Sequence, residues 1–327
     1  MMNVIYDGSN CTQDFKSAYS QLLIELAEQD ENVVLMDADL LMASGGNVFR
    51  GRFPERTFDC GVQEANMIGV AAGMSERGLI PFTHSFSSFA SRKCVDQIFM
   101  AGCYNDLNVK MFGTDPGAAA ALNGGTHMGI EDMGVLFSFP NITLLEMTDI
   151  AMFRSLLLKI KDTYGMFYIR LYRKAPVKIY EEGSDFTIGK GVVVRQGTDV
   201  TIIASGIEVA EALKAAEILA AEGIQAKVID MFTWKPIDEA LITSSAEETG
   251  AIVVAENHSV NCGLGKEVAR VVVQTCPVPM RFVGYQNCFG EVGPTPYLME
   301  RFHLTADDIV SAAKESMKQK NKGERNT

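Results

Sequence analysis

Short apolar runs of strand length alternate with amphipathic stretches of helix length along most of the chain. The alternation stops once, between Arg173 and Gly189. Strand-length runs stand at NVVLMD (32–37), LIPFT (79–83), NVKMFG (108–113), NITLLE (141–146) and MFYIRLY (166–172). Between them, residues 12–29 carry an apolar stripe of Phe15, Ala18, Tyr19, Leu22, Leu23 and Leu26, with Thr12 placed to cap the helix. Further helices are predicted from Glu64 to about Ser75 and over 86–101, 130–137 and 149–161. After the break the rhythm resumes with DVTIIAS, QAKVIDM, AIVVAE and PMRFVGY, separated by helices over 207–221, 236–248 and 264–274. Strands spaced in this way by helices belong to α/β domains whose sheets are mainly parallel. The predicted organisation is two three-layer α/β/α domains, residues 1–178 and 190–327, joined by a polar linker over 179–189. The tail from Met317 to Thr327 is predicted to fray.

Composition narrows the function. Hydrophobic residues make up 47% and charged ones 21%, as in soluble globular proteins, and no apolar run approaches the ~18 residues of a membrane span. The N-terminus lacks the pattern of a signal peptide. Seven Cys without CxxC spacing read as reduced thiols in a cytoplasmic protein. A net charge of −12 argues against nucleic acid and anionic membranes as partners, while leaving room for an anionic small molecule held by a local Arg. GxGxxG, GxxxxGK[ST], HExxH and GxSxG are all absent, so the chain carries no complete ordinary active site.

In open α/β sheets, ligands sit beyond the carboxyl ends of the strands. Asp39, the Gly61–Glu64 turn, Thr83–Phe89 and the Gly-rich loop 113–129 are predicted to share that edge. Within it, FDCGVQEANMIGVAAGM sets one carboxylate, Glu64, against an almost wholly apolar segment. A buried carboxylate needs a partner or a raised pKa. Glu64 is therefore either a first-turn residue stabilised by the helix dipole or a group that shares a proton with a ligand.

Three separated motifs carry a resemblance to the transketolase family over essentially the whole chain. PERTFDCGVQEANMIGVAAGM (54–74) with LIPFTHSFSSFASRKCVDQI (79–98) is similar to the family's pyrimidine-binding domain. NGGTHMGIED (123–132) resembles its GxTHxxxED loop. SVNCGLGKEVA and EVGPTPYLMERFHL resemble its C-terminal domain. The resemblance implies thiamine diphosphate as cofactor, with Mg²⁺ or Ca²⁺. The family's GDG…N motif for the metal and the diphosphate has no match here. The chain thus resembles the C-terminal subunit of a split transketolase, implying an N-terminal partner subunit that carries the metal ligands and an α2β2 assembly. The implied reaction moves a two-carbon ketol unit from a ketose to an aldose through a dihydroxyethyl adduct of the cofactor.

By resemblance, Glu64 bonds N1′ of the aminopyrimidine and drives formation of the reactive ylide. Phe86 and Phe89 pack around that ring, and Asp39 lies near the cofactor. Arg92 stands where many relatives have Tyr, and it reads equally as a salt-bridged surface residue. His127 contacts substrate hydroxyls and shuttles protons. Arg173 grips a terminal sugar anion, with Arg170, on the opposite face of the same strand, as its rival and as a candidate structural ion pair. The sequence departs from the family at Asp115, where relatives usually have His, and at Leu122-Asn123, where an acidic pair is usual. Both places concern the sugar, so the departures imply an unusual donor such as a sulfonated or branched ketose. Remaining alternatives are a β-type subunit of a 2-oxoacid dehydrogenase, half of a 1-deoxyxylulose-phosphate synthase, and a non-catalytic subunit.

Overall fold

The computed structural model describes residues 3–324. Among these residues, twelve strands form two sheets. They are β1 (Val33–Asp37), β2 (Thr57–Asp59), β3 (Ile80–Phe86), β4 (Lys110–Thr114), β5 (Ile142–Glu146), β6 (Met166–Leu171), β7 (Val192–Arg195), β8 (Val200–Ala204), β9 (Ala226–Asp230), β10 (Thr233–Lys235), β11 (Ile252–Ser259) and β12 (Met280–Tyr285). The first sheet runs β10-β5-β6-β4-β3-β1-β2 and the second β12-β11-β8-β9-β7. Neighbours pair in parallel except β10 with β5 and β7 with β9. Mainly apolar strands such as β1 and β8 are buried along their length, as expected where helices cover both faces of a parallel sheet.

On the first sheet, helices Phe15–Gln29 and Ile150–Asp162 pack through Phe15, Leu22, Phe153 and Leu156 against Phe112. On its other face helix Glu64–Glu76 contributes Met67, Ile68 and Ala71, against Met36 and Met111. The second sheet is covered in the same way by Glu208–Ala221 and Ala306–Glu324 on one side, and by Glu239–Thr249 and Leu264–Gln274 on the other.

Four expectations change. The first helix is capped by Asp14, whose carboxylate accepts the Ser17 N–H at 2.7 Å, rather than by Thr12. Residues 86–101 are not one helix. Phe86 ends β3, and the chain then passes through the short helix Ser87–Ser91, a 3₁₀ turn at Arg92–Cys94, one turn at Val95–Gln97 and a π-helical Ile98–Cys103. The stretch 173–189 is not a loose connector. Its Ile179, Tyr180 and Phe186 are buried, and the Ile179 and Tyr180 N–H groups donate to Asp149. The tail is also helical, through Glu324, as the continuation of a helix anchored upstream by the buried Ile309, Val310, Ala313 and Ser316, the last donating to the Pro279 carbonyl at 2.8 Å. Residues 325–327 lie outside the described part.

The two sheets are joined covalently and by pairing. β10 leaves the second half of the chain to lie on the edge of β5, bringing Trp234 over Phe137 with ring centroids 6.1 Å apart. Just before it, Asp230 is buried and accepts the Tyr180 hydroxyl at 2.7 Å, while its other oxygen has no partner. Burial raises its pKa to about 7. The folded state therefore holds this proton after the unfolded chain has released it, so Asp230 subtracts stability as pH climbs from about 4 to 7. Asp230→Asn keeps an acceptor for Tyr180 and removes the titration. Urea titrations should show the variant gaining on the wild type between pH 4 and 8, by about 4 kcal/mol. A constant difference would contradict this.

Candidate active site

Parallel pairing sets the ends of β1, β3 and β4 side by side, and the residues following them form one edge. Phe86 closes β3 and is buried, and Phe89 stands one turn on, with ring centroids 6.2 Å apart and nearly perpendicular planes. His127 of the Gly-rich loop leans on both, at 5.4 Å from Phe86 and 5.0 Å from Phe89, edge to face each time. Such T-shaped contacts fix ring orientation and add about 0.5–1.5 kcal/mol beyond area burial.

Glu64 is the first residue of its helix and is 2% exposed. Its carboxylate forms an ion pair with Lys93. The Lys93 ammonium also stands 5.1 Å from the Phe89 centroid, so Glu64 and the aromatic group are neighbours across one side chain. Sequence reasoning missed Lys93. Only the 3₁₀ turn at Arg92–Cys94 separates the directions of the two adjacent cations, and nothing in the residue pattern announces that turn.

Arg92 points the other way, with Nε 2.9 Å from Glu131 and a terminal nitrogen donating to the Thr126 carbonyl at 3.1 Å. It braces the loop that carries His127. Burial raises the pKa of Glu131 in spite of the Arg92 charge.

Asp115 and Arg173, expected separately at the sugar, meet each other. The Asp115 carboxylate accepts the Arg173 N–H at 2.9 Å and its Nε at 2.6 Å, while the guanidinium lies 5.0 Å from the Phe86 centroid and donates to the Ala43 carbonyl. Asp115 has φ +52, a left-handed conformation that Asp tolerates better than most residues. Asn123 is exposed at the end of the 3₁₀ segment Gly117–Asn123. Asp39 is also exposed, and its backbone N–H donates to Asp59. The structure thus gathers Glu64, Phe86, Phe89, His127, Arg92, Arg173 and Asp115, and it leaves Asp39 and Asn123 at the rim. Among the described residues no group of three or more His, Cys, Asp or Glu is arranged to hold a metal ion.

Arg170 serves a different purpose. Fully buried, it contacts Asp132 at 3.1 Å, Glu146 at 2.6 Å, and the carbonyls of Gly129 and Asn257 at 3.0 and 2.8 Å. Burial opposes its charge, and the two carboxylates more than offset it, leaving its pKa above the ordinary value. Asn257 in turn accepts the Ala118 N–H and donates to the Pro116 carbonyl. The second sheet therefore holds the loop from beneath. His258, beside this group, accepts the Gly134 N–H, and burial followed by the Arg170 charge lowers its pKa to about 4, so it stays neutral.

Two mainly parallel α/β sheets, with an aromatic and acidic edge on the first, define a two-domain α/β protein. Residues 12–176 match the family model of the transketolase pyrimidine-binding domain, and residues 189–309 that of the transketolase C-terminal domain. The chain belongs to the transketolase family. It is 50% identical over 306 residues, 94% of its length and 95% of the relative's, to a 6-deoxy-6-sulfo-D-fructose transketolase subunit of Clostridium sp. (strain MSTE9). It is 37% identical to a putative transketolase C-terminal section of Methanocaldococcus jannaschii, covering 95% of this chain and 98% of that one. A solved structure described as a split gene transketolase, an inactive beta4 tetramer, superposes with a TM-score of 0.86 at 39% identity, covering 94% of this chain and 99% of that one. Within the family, then, the chain is a subunit of a split transketolase.

Proposed function

We propose that this subunit, joined to a partner chain that binds the diphosphate and Mg²⁺ of thiamine diphosphate, transfers a two-carbon ketol unit from a sulfonated ketose to an aldose. The observation that carries the reading is the buried Glu64 carboxylate beside the Phe86–Phe89–His127 cluster. A carboxyl group next to a cluster of aromatic rings suits an aminopyrimidine, which offers a ring nitrogen to the acid and a π-face to the rings. When bound, the cofactor supplies the nucleophilic carbon and the electron sink that bond breaking next to a ketose carbonyl requires.

The chain's own residues then divide the work. Glu64 holds a proton against the ring nitrogen. Phe86 and Phe89 fix the ring plane. His127 exchanges protons with substrate hydroxyls, its loop steadied by Arg92. Arg173, oriented by Asp115, faces the terminal anion as a flat donor able to make two bonds at once. Asp39 and Asn123 are assigned to the rim, near the cofactor and the sugar respectively.

The relative named for a 6-deoxy-6-sulfo-D-fructose transketolase supports a sulfonated donor, and Asp115 in place of the usual His supports an altered sugar wall. The inactive state of the related β4 tetramer supports the need for an N-terminal partner subunit, which we place in an α2β2 complex. The test is to incubate the reconstituted complex, cofactor and Mg²⁺ with 6-deoxy-6-sulfo-D-fructose and an aldose phosphate, and to follow products by mass spectrometry. A four-carbon sulfonated aldose and an acceptor lengthened by two carbons are expected. Release of CO₂ from pyruvate without ketol transfer would overturn the assignment.

A further inference from the structure

Lys93 has no part in that division of work, yet it makes the one ion pair that Glu64 forms among the described residues. Two bond acceptors cannot meet without a proton between them. The ring nitrogen of an aminopyrimidine is a bond acceptor, and a carboxylate held by an ammonium is another. The first-turn position of Glu64 adds the positive end of the helix dipole to the same side of the balance. Lys93 itself is 45% exposed, so its ammonium can turn to water when something takes its place.

We propose that Lys93 is a positioning residue that keeps Glu64 charged in the cofactor-free site, so that cofactor binding displaces the ammonium and takes up one proton from solvent. The inference rests on the reading of Glu64 as the cofactor's acid. Other titratable groups on the elements packed around Glu64 do not substitute for Lys93. Burial, and then the Glu64 charge, push the Cys94 thiol up to about 12, so it is neutral. Asp96 is exposed, and Asp37 and His84 face each other at 3.5 Å.

The experiment is calorimetric titration of thiamine diphosphate into the reconstituted complex with Mg²⁺ between pH 6.5 and 9, in buffers of different ionisation enthalpy. Close to one proton should be taken up per cofactor by the wild type near pH 8. Lys93→Met should take up fewer and bind about tenfold more tightly at the alkaline end, with the two affinities converging towards acid, since one pH unit is worth a factor of ten. Lys93→Arg should restore the wild-type linkage, and Glu64→Gln, which brings its own donor, should abolish it. Equal proton uptake by wild type and Lys93→Met, or uptake surviving in Glu64→Gln, overturns the proposal. Failure of the wild-type complex to bind the cofactor at all would instead remove the reading beneath it.

Discussion

Glu64→Ala, assembled with the partner subunit, should lose about 10²–10⁴-fold in kcat, the range associated with a positioned acid or base. The loss should come with little change in thermal stability. Glu64 is buried, but its partner Lys93 is half in water, so truncating one leaves the other free to hydrate rather than stranded. Steady-state rates with the sulfonated ketose, together with NMR exchange of the cofactor's C2 proton, separate this from misfolding. Near-normal exchange in a folded variant complex would remove Glu64 from the chemistry. Because the carboxylate begins its helix just after the turn at Gly61, the variant also measures how far the helix terminus alone can act on the site.

Arg170→Met should be destabilising by about 3–5 kcal/mol, the range for breaking a buried ion pair from one side. Asp132 and Glu146 would be left facing each other's charge with no water to screen it. The effect should not stay local, since Arg170 also ties the Gly129 carbonyl of the His127 loop to the Asn257 carbonyl of the second sheet. Chemical denaturation should show the loss. Hydrogen exchange should show residues 113–129 opening more often in the variant, because their tether to Asn257 is weakened. A loss below about 1 kcal/mol would mean that the carboxylates find other partners, and that the network contributes registry rather than stability.

Much of this was legible in the residues because the governing physics is local. The apolar runs that became β1, β3 to β6, β8, β9, β11 and β12 are recognisable by length and β-branched content, and Glu64 by its charge in an apolar setting. What escaped depended on distant partners. β2, β7 and β10 are short, and each exists because a neighbouring strand offers an edge. The tail looked polar because the apolar stripe that the second sheet buries is spent by Met317, after which Lys and Gln take over. At the site, the GIED acids read as one motif but serve two guanidinium groups, Glu131 holding Arg92 and Asp132 holding Arg170. The pairing of Asp115 with Arg173 spans 58 positions and follows from β4 lying beside β6. No spacing in the chain expresses either fact. The direction of Lys93 was hidden for a nearer reason, a single change of helical pitch.

Thr233–Lys235 bears on how such chains can be inherited. A strand donated from the second half closes the edge of the first sheet, and its Trp234 indole bonds Ser205, which bonds Glu146 of the first sheet. Exchanging either half for that of a distant relative would need a strand of matching register and a compatible acid at position 146. The two halves therefore form a single heritable unit, and recombination between relatives is expected to spare crossovers inside it.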